Sequence, residues 1–502
     1  MGAAGRRWTK IGCGCAALVV AAVALGAGGA PAVEAASTYG DTVLASVACT
    51  SPGNCVAVGH DEDSHQGQAM VASETNGAWG AAGQIRLPPG AATGLSLGGQ
   101  LNGVACTGAG SCVAVGAYQT EAGPPELMVA TETGGVWARA RELLPALPRV
   151  VDEQATLNAV TCTGPGDCIA VGGETTSAGS QAIVVSETTG VWGSPSAVAL
   201  PAPTSGLADL NSVTCTSAGD CVAVGAFDDE HANYEPIVVS QTGGVWGTAS
   251  EVELPDGANT ATATQNAGFD SVACPSVGDC VAVGYYSDTY SVATFGPSAG
   301  PANAMVAGEN AGVWSQATQL STASPATLKG VTCASTGNCV AVGSLGEPWD
   351  LTALSIGETD GVWEQANPLG TSQAGLDSVT CTSPGNCAAV GADAAAMFIT
   401  QTNGTWGQPG TIAAPSGGIA VKATINAQRR SATFSFKAGS LASGFECALV
   451  RAGRKAAAPG YSNCQSPQTY ARLAAGSYVF DVRTLAPSGT VAARARRRFT
   501  LG

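Results

Sequence analysis

Charge is scarce in this chain. Only 12% of its 502 residues are Asp, Glu, Lys or Arg, about half the usual share. Lys and Arg together number 21 against 37 acids, a formal charge of −16, which excludes an obvious nucleic-acid binder. Aromatic residues make up 5% and histidine only 3 positions, so large core side chains and imidazole chemistry are both in short supply. No apolar run after the N-terminal segment could cross a bilayer. G-x-S-x-G, H-E-x-x-H and P-loop motifs are absent, which removes the common local signatures of serine hydrolysis, zinc proteolysis and nucleotide binding. What is plentiful is small: 68 glycines, 18 cysteines and a 45% hydrophobic share. Such a chain is too apolar to be wholly disordered and too long for one ordinary domain. Glycine with short β-formers points to a turn-rich all-β protein.

The first 36 residues read as a secretory signal. Arg6, Arg7 and Lys10 give a positive start, residues 11–28 are apolar, and Ala30-Pro31-Ala32 and Val33-Glu34-Ala35 offer small-residue cleavage sites. Cys13 and Cys15 lie at the start of the apolar run rather than after it, so a lipoprotein anchor is not expected. The mature protein is then expected outside the cell or on its surface, with no membrane span. It keeps sixteen cysteines, an even number that suits a disulfide framework.

Those cysteines mark seven repeats. Cys49/Cys55, Cys106/Cys112, Cys162/Cys168, Cys215/Cys221, Cys274/Cys280, Cys333/Cys339 and Cys381/Cys387 are all C-x5-C pairs, with first cysteines 57, 56, 53, 59, 59 and 48 residues apart. Between the two cysteines stands a glycine (Gly53, Gly110, Gly166, Gly219, Gly278, Gly337, Gly385), which suits a turn with positive φ. After the second cysteine comes an alternating strand such as Cys55-Val56-Ala57-Val58-Gly59. A third apolar run leads to a two-residue turn such as Asn76-Gly77 or Asp360-Gly361, then to Trp79, Trp137, Trp192, Trp246, Trp314, Trp363 or Trp406. These are good hairpin turns. Four strands in about 55 residues, seven times over, predict a seven-bladed β-propeller across residues 38–413. Each cysteine pair brackets a tight hairpin, so each is expected to be a disulfide, worth about 2 kcal/mol in the chain-entropy model. The repeat tryptophans are expected to pack between blades.

The corner Ser73-Glu74-Thr75-Asn76-Gly77-Ala78-Trp79 resembles a shortened Asp-box, the turn between the third and fourth blade strands of sialidase-like propellers. It departs from that motif in having Thr where Asp belongs and one residue fewer before Trp. The whole C-x5-C-x-A-V-G frame resembles repeats of secreted proteins of high-GC bacteria. That resemblance implies a fold and no activity.

Residues 415–502 reverse the charge. They hold 13 Lys and Arg against only Glu446 and Asp481, net +11, while the repeats hold 34 acids against 5 basic residues, net −29. The segments Phe445-Glu446-Cys447-Ala448-Leu449, Cys464-Gln465-Ser466-Pro467 and Leu473 through Arg483 resemble small bacterial Ig-like or fibronectin-III-like modules. The resemblance implies a β-sandwich of about seven strands with a Cys447–Cys464 disulfide, serving as a spacer or surface attachment. Arg494, Arg496, Arg497 and Arg498 read as a solvated edge strand or as a contact for an anionic polymer.

In a four-strand meander successive turns alternate between the two ends. The tight turns therefore share one end, and the long connections share the other. Loops presented by a rigid scaffold carry function, and here the long connections after the second strands hold 14 acids, no Lys or Arg, all three histidines and eight aromatics. Rings beside carboxylates suit sugars or cations. Asp61, Asp63, Tyr118, Asp228, Asp229, Tyr234, Tyr285, Tyr286 and Trp349 are the ligand-binding candidates. His60, Asp61 and Asp63 could hold Ca²⁺, although Gly67 stands one place late for an EF-hand loop and no Glu occupies its twelfth position. No other cofactor is expected.

The sequence thus predicts an exported, non-catalytic binding or scaffold protein whose loop end takes a carbohydrate, a cell-envelope polymer or a protein. The alternative is a secreted glycoside hydrolase or lyase using loop carboxylates. Sialidase-type arginine chemistry is disfavoured, since the repeats offer only Arg86, Arg139, Arg141, Arg149 and Lys329.

Overall fold

The computed structural model describes residues 42–63, 66–92, 98–120, 123–143, 154–176, 179–202, 204–231, 233–258, 266–287, 290–293, 296–299, 302–346, 350–372, 374–393, 395–413, 419–426, 428–437, 444–451, 460–485 and 490–501. The first 41 residues with Cys13 and Cys15, Trp349 and the side chain of Asp63 lie outside the described residues. The described residues are strands and turns, with no helix among them.

Each repeat is an antiparallel meander. In the first, Thr42–Ser51, Asn54–Asp63 and Gln66–Thr75 pair in order, and the outer strand is two short pieces, Ala78–Trp79 and Gly83–Gln84. The fourth strand expected from the sequence is therefore broken just after its tryptophan. In the fifth repeat the connection after the second strand carries an extra hairpin, Tyr290–Ala293 with Gly296–Ala299.

All eight expected disulfides are formed. In the repeats they are Cys49–Cys55, Cys106–Cys112, Cys162–Cys168, Cys215–Cys221, Cys274–Cys280, Cys333–Cys339 and Cys381–Cys387, each joining cysteines six residues apart. Cys447–Cys464 is the eighth. The two cysteines of a repeat pair are not equivalent. Cys55, Cys112, Cys168, Cys221, Cys280, Cys339 and Cys387 are all buried, whereas their partners are only partly covered. The difference follows from strand order. The second strand of each repeat is flanked on both edges, while the first is open along one edge beside its cysteine, the fifth repeat's first strand being paired there only at Asn266 with Tyr234. Cys112, Cys221, Cys339, Cys387 and their three counterparts belong to the hydrophobic core.

The two tight turns of each repeat meet at one end. Gly77 N–H donates to Gly53 O at 2.8 Å, and Gly135→Gly110, Gly190→Gly166, Gly244→Gly219, Gly312→Gly278, Gly361→Gly337 and Gly404→Gly385 repeat that bond. Gly53 has φ +72°, and a Cβ there would lie 2.7 Å from Gly77 N. Positive φ and close backbone approach both require glycine.

The core is a set of wedges between successive repeats. Val58, Leu101, Val104 and Trp137 join the first two repeats; Val115, Leu157, Val160 and Trp192 join the next two. The series ends where it began: Val390 and Phe398 of the seventh repeat pack with Leu44, Met70 and Trp79 of the first. Across the same junction Val47 N–H donates to Ser378 Oγ at 3.3 Å and Ala82 N–H to Ala413 O at 3.1 Å. Every repeat tryptophan sits in or against one of these wedges. Each fully buried leucine contributes roughly 2 kcal/mol relative to an exposed one, so many small wedges replace a few large aromatic cores.

After the repeats, Ala420–Asn426, Ser431–Lys437 and Gln468–Tyr470 form one sheet. Ser462–Cys464, Gly444–Arg451, Gly476–Leu485 and Val491–Leu501 form another. Their shared core is aromatic, with Phe434 and Phe480 stacked at 3.9 Å between ring centroids. The last strand also touches the first repeat's outer strand, Val491 pairing with Gln84.

Candidate functional site

The first strand of every repeat carries the same irregularity. Pairing skips one residue between Leu44 and Ser46, and likewise after Leu101, Leu157, Leu210, Phe269, Leu328 and Leu376. This is a β-bulge, which re-aims a side chain and bends the strand. It also explains the last glycine of the C-V-A-V-G run. A Cβ on Gly59 would stand 1.9 Å from Val43 O, and Gly116, Gly172, Gly225, Gly284, Gly343 and Gly391 are as tightly covered.

The bulged residues are Ala45, Asn102, Asn158, Asn211, Asp270, Lys329 and Asp377. The asparagines tie neighbouring repeats together. Asn102 Nδ2 donates to Leu157 O at 2.9 Å and to Thr156 Oγ1 at 3.1 Å; Asn158 Nδ2 donates to Leu210 O and Asp209 Oδ1, both at 3.0 Å; Asn211 Nδ2 donates to Phe269 O at 2.9 Å. A carboxylate cannot donate in this way, so the pattern breaks at Asp270. There Lys329 Nζ donates to Asp270 Oδ1 at 3.1 Å and stands 5.3 Å from the Tyr285 ring centroid. Burial raises Asp270 despite the lysine, and Asp270 in turn raises Lys329. Burial also pushes Asp377 up to about 6, against the pull of Lys329.

Beside this ring, at the end opposite the tight turns, lies a cavity of about 650 Å³ lined by Tyr118, Glu174, Asp209, Tyr234, Asp270 and Tyr285 among others. They come from the second, third, fourth and fifth repeats. Asp209 is pushed up to about 6 by burial, partly offset by hydrogen bonds from Asn158 and the Leu210 backbone. Tyr118 is raised by burial and then by Glu142 and Glu126. Tyr285 is raised by burial, and its hydroxyl donates to Asn266 Oδ1 at 3.3 Å. The wall is thus aromatic and amide-rich with several carboxylates, a surface suited to stacking, hydroxyl recognition or cation attraction.

The structure brings Tyr118, Tyr234 and Tyr285 to this cavity and sends the other described candidates elsewhere. Asp61 is buried and accepts from Thr42 Oγ1 at 2.9 Å. Asp228 is buried, and Asp229 closes its own loop by accepting from the His231 and Asn233 backbones, both at 2.8 Å. Tyr286 is a core residue whose hydroxyl donates to Gln319 Oε1 at 2.9 Å. His60 and Asp61 are successive strand residues and so point to opposite faces. Among the described residues the one group spaced to hold a metal is Cys274, Cys280 and Glu309, and its two cysteines are spent in a disulfide. Outside the cavity, Glu235 is pushed up to about 7 by burial, Glu251 and Asp229.

Reasoning from loop composition misses Asp209, Asp270, Lys329 and Asp377, which lie on strands. Their signal is a polar residue four or six places before the first cysteine of a repeat, inside an otherwise apolar strand.

No family model and no curated protein matches the chain. Among solved structures, YCF48 from Cyanidioschyzon merolae is 12% identical, covering 73% of this chain and 97% of its own at a TM-score of 0.40. A polysaccharide lyase described as an ulvan lyase is 10% identical, covering 73% and 95% at 0.42. PorZ, a surface component of the type-IX secretion system of Porphyromonas gingivalis, is 9% identical, covering 89% and 64% at 0.38. Likeness this loose assigns no activity.

Proposed function

We propose that residues 38–413 form a seven-bladed β-propeller, that residues 415–502 form an Ig-like or fibronectin-III-like sandwich, and that the protein is an exported, non-catalytic binding protein. Its ligand is a carbohydrate, cell-envelope polymer or protein partner. The observation that carries this reading is the convergence of Tyr118, Tyr234 and Tyr285 with Asp209 and Asp270, from the second, fourth and fifth repeats, on one cavity of about 650 Å³. Seven wedges that return from the last repeat to the first support the propeller. Eight disulfides support an oxidising compartment. Lys329 spends Asp270 in an ion pair, which suits recognition better than proton transfer.

A second reading, a glycoside hydrolase or lyase, is favoured by Asp209 alone, a carboxyl held at about 6 in the same cavity and so poised as a general acid. A screen of the full chain against glycans, cell-envelope polymers and peptides separates the two. Binding without turnover, lost on Tyr234→Ala and Tyr285→Ala, is expected. Product release abolished by Asp209→Asn would replace the first reading with the second.

A further inference from the structure

The repeats are poor in basic residues, yet two of their few arginines stand together. Arg86 follows the outer strand of the first repeat, and Arg139 lies in the break between the two outer-strand pieces of the second. The C-terminal segment brings Arg483, Arg494 and Arg496 to the same place. Five guanidinium groups there face two carboxylates, and both carboxylates are fully engaged. Glu446 takes Arg483 at 2.6 Å and Arg86 at 3.5 Å. Asp481 takes Arg494 at 2.6 Å and Arg496 at 2.9 Å. Arg139 has no carboxylate in any of these pairs; its Nη1 donates to the Leu87 carbonyl at 3.2 Å. Burial, then the charges of Arg483 and Arg86, hold Arg139 below its usual range. The Arg86 Nε–H is buried without a hydrogen-bond partner among the described residues. Among the described residues these groups leave a local excess of about three positive charges, best covered at Arg483 and most open at Arg496, in a protein whose net charge is −16.

Beside this cluster is a cavity of about 290 Å³, lined by Arg139, Arg483, Arg494, Tyr461, Gln68 and Gln84 and floored by prolines 88 and 89. The Arg483 guanidinium lies 3.7 Å from the Tyr461 ring centroid, which fixes its plane. Guanidinium groups bind planar oxyanions in a forked geometry. Excess buried positive charge is costly until an anion offsets it. The volume fits a ligand about the size of one sugar ring, with two amides for hydroxyls and an apolar floor for its body. We propose that this cavity, separate from the tyrosine-lined one, binds an acidic sugar unit through its carboxylate, with Arg139 as the principal charged contact.

The test is calorimetric titration of the oxidised full chain at fixed ionic strength with glucuronate, glucose and inorganic phosphate. Glucuronate is expected to bind, glucose at least tenfold more weakly, and phosphate more weakly than glucuronate. Arg139→Gln is expected to weaken glucuronate at least tenfold while its ligand-free melting temperature stays equal or rises, because a crowded cation is removed. Arg139→Lys, which keeps the charge, is expected to recover part of the affinity. Tyr285→Ala, at the other cavity, is expected to leave glucuronate binding unchanged. Absence of glucuronate binding, equal binding of glucose, or unchanged affinity in Arg139→Gln would overturn the site. Equal affinity for inorganic phosphate would overturn the assignment of a sugar body.

Discussion

The two ends of each repeat are built on opposite principles. At the tight-turn end, seven copies of one hydrogen bond between glycines recur with the same partners. Five of the seven paired turns place a non-glycine residue at positive φ, from Asn76 at +51° to Asn403 at +49°, and the geometry holds regardless of the side chain. At the other end the backbone bulge recurs equally strictly, but the side chain it presents changes from alanine to asparagine to aspartate to lysine. Backbone regularity thus serves stability at one end, and at the other it is a fixed mount for variable chemistry. Within the first strands, groups of unlike charge meet where the bulge residue differs between repeats, as at Asp270 and Lys329.

If that contrast is right, the largest stability losses belong to the tight-turn end. Gly385 has φ +72°, and an added Cβ would meet Gly404 N at 2.6 Å. Gly385→Ala should cost roughly 3 kcal/mol, read as a lower denaturant midpoint at unchanged slope. Replacing Cys162 and Cys168 together by serine releases one seven-residue loop and should cost about 2 kcal/mol, with a local rise in amide exchange confined to the third repeat and its neighbours. A collapse of protection around the whole ring would contradict the wedge description.

The third change lies at the loop end, and its effect should depend on pH. Folding raises Asp209 to about 6, so the folded state holds the proton more tightly than the unfolded chain does. Stability is then full below about pH 4, falls as the pH rises to about 6, and levels off above that. Asp209→Asn should flatten this fall and raise stability at pH 7 by at most roughly 3 kcal/mol, the equivalent of about two pKa units. An unchanged pH profile would show that Asp209 is solvated.

Much of this architecture is written in short-range pattern. Cysteine spacing, turn glycines and the tryptophan frame each act over a few residues, so the meander and the seven local disulfides follow from them directly. The unequal burial of the two cysteines in a pair does not, because spacing along the chain says nothing of which strand is flanked on both edges. The break in the outer strand likewise depends on what the neighbouring repeat covers. Nor do the bulge residues stand out: Lys329 reads as one stray base until Asp270, 59 residues earlier, is placed beside it. The arginine cluster is the extreme case. Arg86 and Arg483 are nearly four hundred residues apart, and a count of arginines within the repeats cannot add those of the C-terminal segment.

The locality of the seven repeat disulfides bears on how the chain is made. Each cysteine's partner is six residues away, whereas the nearest wrong partner outside its own pair is several times more distant along the chain. Short loops close far more readily than long ones, so the effective concentration of the right thiol exceeds that of any competitor. Wherever the emerging chain meets an oxidant, each hairpin can be locked before the next cysteine pair appears. Sixteen cysteines therefore pose seven independent pairing problems with one obvious answer each, plus an eighth that waits for the C-terminal sheets to assemble.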